Sequence, residues 1–283
     1  MMVSFQVCLL ISISFIAGQC ACDGSADEVL FYQNYYEKYG GDHLIVSDEG
    51  KEVSLLIDQH TGSGFTSNQN FGSGDFHINL KIPNKSSSGI ITTFYLMSQS
   101  VDEPNSGIPH DEVDFEFLGG NDKYTLSTNV FASDGGHREQ QFNLWFDPTT
   151  GFHSYRILWN QYNIVFFVDD VPIRIFKNNT DRGVNFPSNP MHIEATIWND
   201  TNWVGEVDWS QGSFTAYYRN FSINGCQYQE SNLQDCYSNN YYWNPITTLS
   251  PEQYLKYEDL RGNMTYDYCH YNATDFPECM LNN

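Results

Sequence analysis

Residues 74–83 read GDFHINLKIP. Phe76, Ile78, Leu80 and Ile82 alternate with Asp75, His77, Asn79 and Lys81, and a period of two marks a strand with one face in a core and the other in water. Similar segments recur at VSLLID (53–58), GIITTFYLM (89–97), YTLSTNVF (124–131), SYRILWN (154–160), YNIVFFVDD (162–170), MHIEATIW (191–198) and FTAYYRNFSI (214–223). Turn signals such as HTGSGF, DPTTGF and NGC separate them. So many short strands at this spacing predict an all-β, two-sheet sandwich from about residue 30 to 224.

The composition agrees. With 283 residues the chain can bury a full core as one large domain with an appendage. Aromatics make up 16 % of it, as 19 Tyr, 20 Phe and 6 Trp, and Ala/Glu/Lys/Leu-rich helical windows are nearly absent. The net charge of −22 argues against nucleic acid, which requires clustered Lys and Arg, and against an anionic membrane surface. A neutral or cationic partner stays open. The aromatics suit stacking on sugar rings, with core filling as the alternative.

The N-terminus, MMVSFQVCLLISISFIAGQCACDG, carries an apolar run from Val7 to Ala17 followed by small residues. That length fits a signal peptide, taken as 1–22, and is short for a membrane span. A secreted chain is expected. Cys8, Cys20 and Cys22 fall in or beside the signal, leaving Cys226, Cys236, Cys269 and Cys279. Four cysteines in a secretory chain read as two disulfides; their grouping suggests 226–236 and 269–279, among three possible pairings. Six N-x-S/T sequons, at Asn84, Asn178, Asn199, Asn220, Asn263 and Asn272, predict N-glycosylation. Residues 225–283 hold all four of these cysteines and form an expected extension to the 23–224 domain. Within it, SPEQYLKYEDLRG (250–262) has Ser250 to cap a helix, Pro251 for the first turn, Gln253 to complete a capping box and Gly262 to close it.

The chemistry concentrates in HDEVDFEFLGG, residues 110–120. As a strand it puts Glu112, Asp114 and Glu116 on one face and Val113, Phe115 and Phe117 on the other. Same-face carboxylates then start roughly 6–7 Å apart at Cα, a repulsive arrangement that folding alone does not favour. A solvated acidic edge strand, a calcium site and a glycosidase carboxylate pair are the three readings. Calcium ligands come more readily from loops than from a regular strand flanked by Phe. A retaining glycosidase needs two carboxyl groups about 5–5.5 Å apart, and long Glu side chains converging on a concave surface can meet that.

HDEVDFEFLG closely resembles the active-site strand of plant xyloglucan endotransglucosylase/hydrolases, in glycoside hydrolase family sixteen. DQHTGSGF (58–65), TTFYLMSQ (92–99), YTLSTNVF, HREQQFNLWFDPTTGFHSYRILWN, VDDVPIRIFKN, RGVNFPSNPM, TIWNDTNW and VDWSQGSFTAYYRNF are similar to further family segments in family order, as are the DYC and FPEC segments near the C-terminus. The resemblance covers nearly the whole mature chain. It implies a concanavalin-like β-jelly-roll with a short disulfide-stapled C-terminal extension. It also implies a secreted, cell-wall enzyme, a monomer without cofactor or metal, acting on xyloglucan or a related β-glucan as donor and acceptor. A glucanase or hetero-transglycosylase on mixed-linkage glucan or cellulose is the alternative, and a wall-binding lectin with inert carboxylates a more distant one.

By the same resemblance Glu112 is the nucleophile, Glu116 the acid and then base, and Asp114 the helper between them. His110 orients the strand or a carboxylate, a structural histidine being the alternative. Ser127, Thr128 and Asn129 match a substrate-contacting Q-T-N segment, with Ser127 in place of Gln. His137, Arg138 and Glu139 match a D-R-E-like segment, whose other reading is an ion pair. Tyr95, Trp198 and Trp203 match cleft aromatics, Trp198 having a core role as its rival, and Asn202 and Gly205 fall in the adjoining loop. The chain departs from the family pattern in a longer loop at VDEPNSGIP (101–109), a shorter NWVGEVDW (202–209), no sequon after the FLG, and Tyr257–Glu258 near an expected Arg-Trp, where Lys256 or Arg261 can substitute.

Overall fold

The structure is a computed structural model that describes residues 29–84, 87–98, 109–120, 123–230 and 232–281. The signal expectation at 1–22, with Cys8, Cys20 and Cys22, and the inserted loop at 101–108 lie outside the described residues. Two antiparallel sheets are stacked. The first runs β1 (Tyr35–Tyr39), β4 (Ser63–Ser67), β13 (His192–Asn199), β6 (Ile90–Met97), β7 (Asp111–Gly119), β8 (Tyr124–Ala132), β9 (Gln140–Phe142) and β16 (Met264–Asp267). The second runs β12 (Val171–Lys177), β11 (Asn163–Val168), β10 (His153–Trp159), β5 (Phe71–Lys81), β14 (Phe214–Arg219), β3 (Glu52–Ile57) and β2 (Leu44–Ser47), with β15 (Asn224–Gln227) beside β5. This is the expected all-β sandwich.

The opening strand behaves as its alternation requires. Phe76, Ile78 and Leu80 are fully buried between the sheets, and β5 is central, with β10 on one side and β14 and β15 on the other. From β7, Val113, Phe115 and Phe117 enter the same core, where Phe115 meets Tyr155 and Phe166 edge-on and Phe117 meets Tyr155 at 4.8 Å. Each such side chain contributes about 1.5–3 kcal/mol on burial, which anchors a strand whose other face is crowded with carboxyl groups.

Three boundaries differ from expectation. FTAYYRNFSI stops being a strand at Arg219 because Asn220 takes a left-handed φ of 66°. YNIVFFVDD ends at Val168, since Asp169 and Asp170 (φ 48° and 62°) form the two-residue turn into β12. Gly262 does not close the helix in a left-handed cap. Helix Pro251–Leu260 starts with the expected capping box, Ser250 Oγ accepting from Gln253 N, but it runs on into a 3-10 turn over Arg261–Asn263.

The cysteines pair as 226–236 and 269–279. The segment from 224 onward adds β15 to one sheet and β16 to the other, so the boundary expected at 225 falls inside β15. Trp243 and both cysteines of the first disulfide also cover Leu158, Val165 and Phe167 on the outer side of the second sheet. Of the sequon asparagines, Asn84, Asn199 and Asn272 are exposed. Asn178, Asn220 and Asn263 are half-buried, with Asn178 and Asn263 donating their amides to the Gln161 and Asn143 carbonyls.

Candidate active site

The β7 register sets the site. Glu112 lies opposite Met97 and Phe131, Asp114 opposite Tyr95 and Asn129, and Glu116 opposite Thr93 and Ser127. All of these share the face turned away from the core. Thr93, Tyr95, Glu112, Asp114, Glu116, Thr196 and Trp198 line a cavity of about 150 Å³ there. Asp111 fixes where the strand begins. Its buried carboxylate accepts from Ser188 N, Asn189 N, Asn189 Nδ2 and Ser133 Oγ at 2.7–3.0 Å, tying β7 to two neighbouring loops.

The three carboxyl groups are held differently. His110 Nε2 lies 2.7 Å from Glu112 Oε2, and the imidazole stacks on Phe131 at 5.3 Å. The ring is therefore fixed by an aromatic neighbour and faces the Glu112 carboxylate. Asp114 is 3 % exposed. Burial first, then the charges of Glu112 and Glu116, push its carboxyl well above the usual range, so it is held as a neutral acid beside Glu112. Glu116 is pushed up to about 8, chiefly by burial and then by the charges of Glu112 and Glu139, against the lowering effect of the Ser127 hydroxyl. Two carboxyl groups raised by burial beside Glu112, one of them the long Glu116, make an acid–nucleophile arrangement.

The other expected contacts divide. Tyr95 and Trp198 line the cavity, which places Trp198 outside the core. Trp203, 43 % exposed, approaches Trp198 at 6.4 Å between ring centroids. Asn202 and Trp203 donate their backbone N–H groups to Asp200 Oδ1, a turn that puts the Trp203 ring at the cavity's edge. Gly205 packs against the β6 entry: its φ is 101°, and a side chain there would meet Ser88 Oγ at 2.9 Å. Asn129 shares the carboxylate face, accepts from Arg138 N at 3.0 Å and donates to Glu139 Oε1 at 3.4 Å. Ser127 faces Glu116.

Two expectations are corrected. Thr128 points to the opposite face, between the sheets, where its hydroxyl donates to the Gln140 carbonyl and accepts from Arg174 Nη1 at 2.9 Å. A residue between two cleft-facing positions on a strand cannot share their face. Arg138 is buried under the extension. It donates to Glu278 Oε1 at 2.6 Å and to both oxygens of Asp134, with Phe276 5.0 Å from its guanidinium. Arg138 and the exposed His137 line a separate cavity of about 280 Å³. The ion-pair reading of Arg138 describes its position, although it is buried rather than at the surface.

Several residues of the face carried no motif. Thr93 and Thr196 share a short hydroxyl contact of 2.7 Å. Glu194, fully buried, accepts from the Tyr95 hydroxyl at 2.5 Å. Tyr266 lies opposite Gln141, itself opposite Ser127, so the extension's strand continues the row that holds Glu116. The alternation in MHIEATIW places His192, Glu194, Thr196 and Trp198 on one face, the signal that finds Glu194 and Thr196.

Residues 31–219, which contain both sheets' principal strands and the three carboxyl groups of the β7 cavity, match the family model "Glycosyl hydrolases family 16". The chain belongs to that family. Among curated relatives it is similar to xyloglucan endotransglucosylase/hydrolase protein 2 of Arabidopsis thaliana, 45 % identical over 251 residues that span 84 % of each chain. A probable xyloglucan endotransglucosylase/hydrolase of Nicotiana tabacum is 39 % identical over 92 % of this chain and 90 % of its own. In fold, the family 16 chain is similar to a prokaryotic β-1,3-1,4-glucanase derived from a mouse hindgut metagenome. That match has a TM-score of 0.56 at 23 % identity, over 68 % of this chain and 93 % of the other. The apo Crh5 transglycosylase gives 0.55 at 24 % identity, over 68 % and 79 %. As a family 16 member, the protein is a glycosyl hydrolase or transferase.

Proposed function

We propose that this protein is a secreted, retaining xyloglucan endotransglucosylase/hydrolase of the plant cell wall. The observation that carries the mechanism is that one cavity gathers Glu112, Asp114 and Glu116 from one face of β7, with His110 Nε2 2.7 Å from Glu112 and Glu116 pushed up to about 8. Glu112 attacks the anomeric carbon of a glucosyl unit in the donor backbone and forms a glycosyl ester. The bond to the departing oxygen breaks as Glu116 gives that oxygen its proton. Glu116, now a carboxylate, takes the proton from an incoming hydroxyl whose oxygen displaces Glu112, so the original anomeric configuration returns. An incoming glucan makes the reaction a transfer and water makes it a hydrolysis. His110 and Asp114 hold Glu112 from either side, and Tyr95, Trp198 and Trp203 offer ring faces to the sugars.

The names of the curated relatives, xyloglucan endotransglucosylase/hydrolases, support xyloglucan as the substrate. The test incubates xyloglucan polymer with labelled xyloglucan oligosaccharides. Label incorporated into polymer marks transfer, and shortening without incorporation marks hydrolysis. Retention of polymer without turnover overturns the enzymatic reading. Turnover of mixed-linkage glucan alone overturns the choice of substrate.

A further inference from the structure

One row of side chains crosses the cleft face of the first sheet through Asn129, Asp114, Tyr95, Glu194, Thr66 and Tyr36, one from each of β8, β7, β6, β13, β4 and β1. Glu194 is its unexpected member, a carboxylate with no exposed surface on a face already holding three carboxyl groups. Its Oε2 accepts from the Tyr95 hydroxyl at 2.5 Å and from Lys38 Nζ, and its Oε1 accepts from Thr66 Oγ1 at 3.4 Å. Lys38 reaches it because β1 is bulged: the register shifts between Glu37 and Tyr39, and Lys38 is the extra residue. Beyond the bulge the Tyr39 ring lies over Gly64, where a side chain would strike it at 2.9 Å.

A buried ion pair is a poor stabilising device, since desolvating both charges offsets their attraction. A bulge that aims a lysine at a buried glutamate beside a reaction site therefore requires another explanation. Tyr95 supplies it. Its ring lines the cavity with Glu112 and Asp114, Lys38 Nζ stands 6.0 Å from the ring centroid, and its hydroxyl is committed to Glu194. Burial, then the charges of Glu194 and Glu112, push the phenol well above its usual range, which keeps it a donor.

We propose that Lys38 and Glu194 are a positioning pair for glycosyl transfer, locking Tyr95 against the Glu112 side of the cleft so that its ring holds the sugar under attack. The proposal rests on the function given above. Neither residue touches the reacting atoms; both act through Tyr95. Misplacing a substrate-orienting group lowers turnover more than it weakens binding.

The test is a kinetic double-mutant cycle on purified full-length protein. Glu194→Gln and Tyr95→Phe each lower kcat about 10-fold with KM within about twofold, and the double variant is no worse than the poorer single one. Lys38→Met matches Glu194→Gln, and Lys38→Arg restores kcat to within about threefold of the parent protein. Multiplying losses, to about 100-fold in the double variant, overturn the proposal. So does an unchanged kcat accompanied by a lower Tm, the mark of a purely structural pair. If Glu194→Gln fails to fold, the cycle is run with Lys38→Met and Tyr95→Phe on the same criteria. If the parent protein turns over mixed-linkage glucan and not xyloglucan, the reading of substrate fails, and the cycle is read with mixed-linkage glucan.

Discussion

At the scale of single residues, one strand separates three identical functional groups by their surroundings. Glu116 shows the consequence most plainly, because it must be protonated to release the leaving group. The rate of glycosyl-enzyme formation is expected to fall as pH rises through about 8, read from the pH profile of kcat/KM with xyloglucan. Stability follows the same proton. A carboxyl raised from 4.5 to about 8 binds its proton more tightly when folded, so its contribution is complete below pH 4.5 and is lost as pH rises through 8. Glu116→Gln removes that loss. Its Tm should exceed the parent's by an amount that grows between pH 4.5 and 8, reaching on the order of ten degrees, and then stays level. Glu112→Ala should reduce transfer and hydrolysis together by about 10³-fold or more, as measured by label incorporation and by reducing ends. Full activity in that variant would refute the assignment.

Elements show why some of the site was legible in sequence and some was not. The alternation in HDEVDFEF was enough to separate Glu112, Asp114 and Glu116 from Val113, Phe115 and Phe117, since the strand's period of two is local. The same rule assigns Ser127 and Asn129 to one face and Thr128 to the other, and the resemblance to a contiguous three-residue motif overrode it. Arg138 is a different case. Its partner Glu278 arrives from the far end of the chain, and no local pattern announces a contact of that range. Lys38 and Glu194 are likewise brought together only by the strand order β1-β4-β13. The buried Arg138–Glu278 contact carries its own prediction. Arg138→Met leaves Glu278, at 1 % exposure, without its cation and with only the Tyr268 hydroxyl as donor, and unfolding in denaturant should show a loss of about 3–5 kcal/mol. A KM effect without loss of stability would return Arg138 to the list of substrate contacts.

The whole molecule is a sandwich tied together by its own C-terminal segment, which pairs with the central β5 in one sheet and with the edge of the other. Residues from 224 onward donate β15 to one sheet and β16 to the other, and Arg138 and the two disulfides fix the segment between and beyond these strands. Tyr266 of β16 stands in the Glu116 row and stacks on Tyr271 at 5.1 Å between centroids, with planes 9° apart. An aromatic pair in the acid's row, with β8 and β9 between it and Glu116, suits the seating of a more distant unit of an incoming glucan. Tyr266→Ala should lower the ratio of transfer to hydrolysis about 3–10-fold while leaving total bond cleavage within twofold, scored in the labelled-oligosaccharide assay. An unchanged ratio would remove β16 from the acceptor side. The position of β16 in the chain also sets a timetable. Translation delivers β7, with its complete set of carboxyl groups, long before it delivers the strand that finishes the same sheet. A nascent chain thus carries its bond-breaking groups before it carries Tyr266. Until residues 264–267 are made, β9 stays an open edge of the very sheet that holds the carboxyl groups.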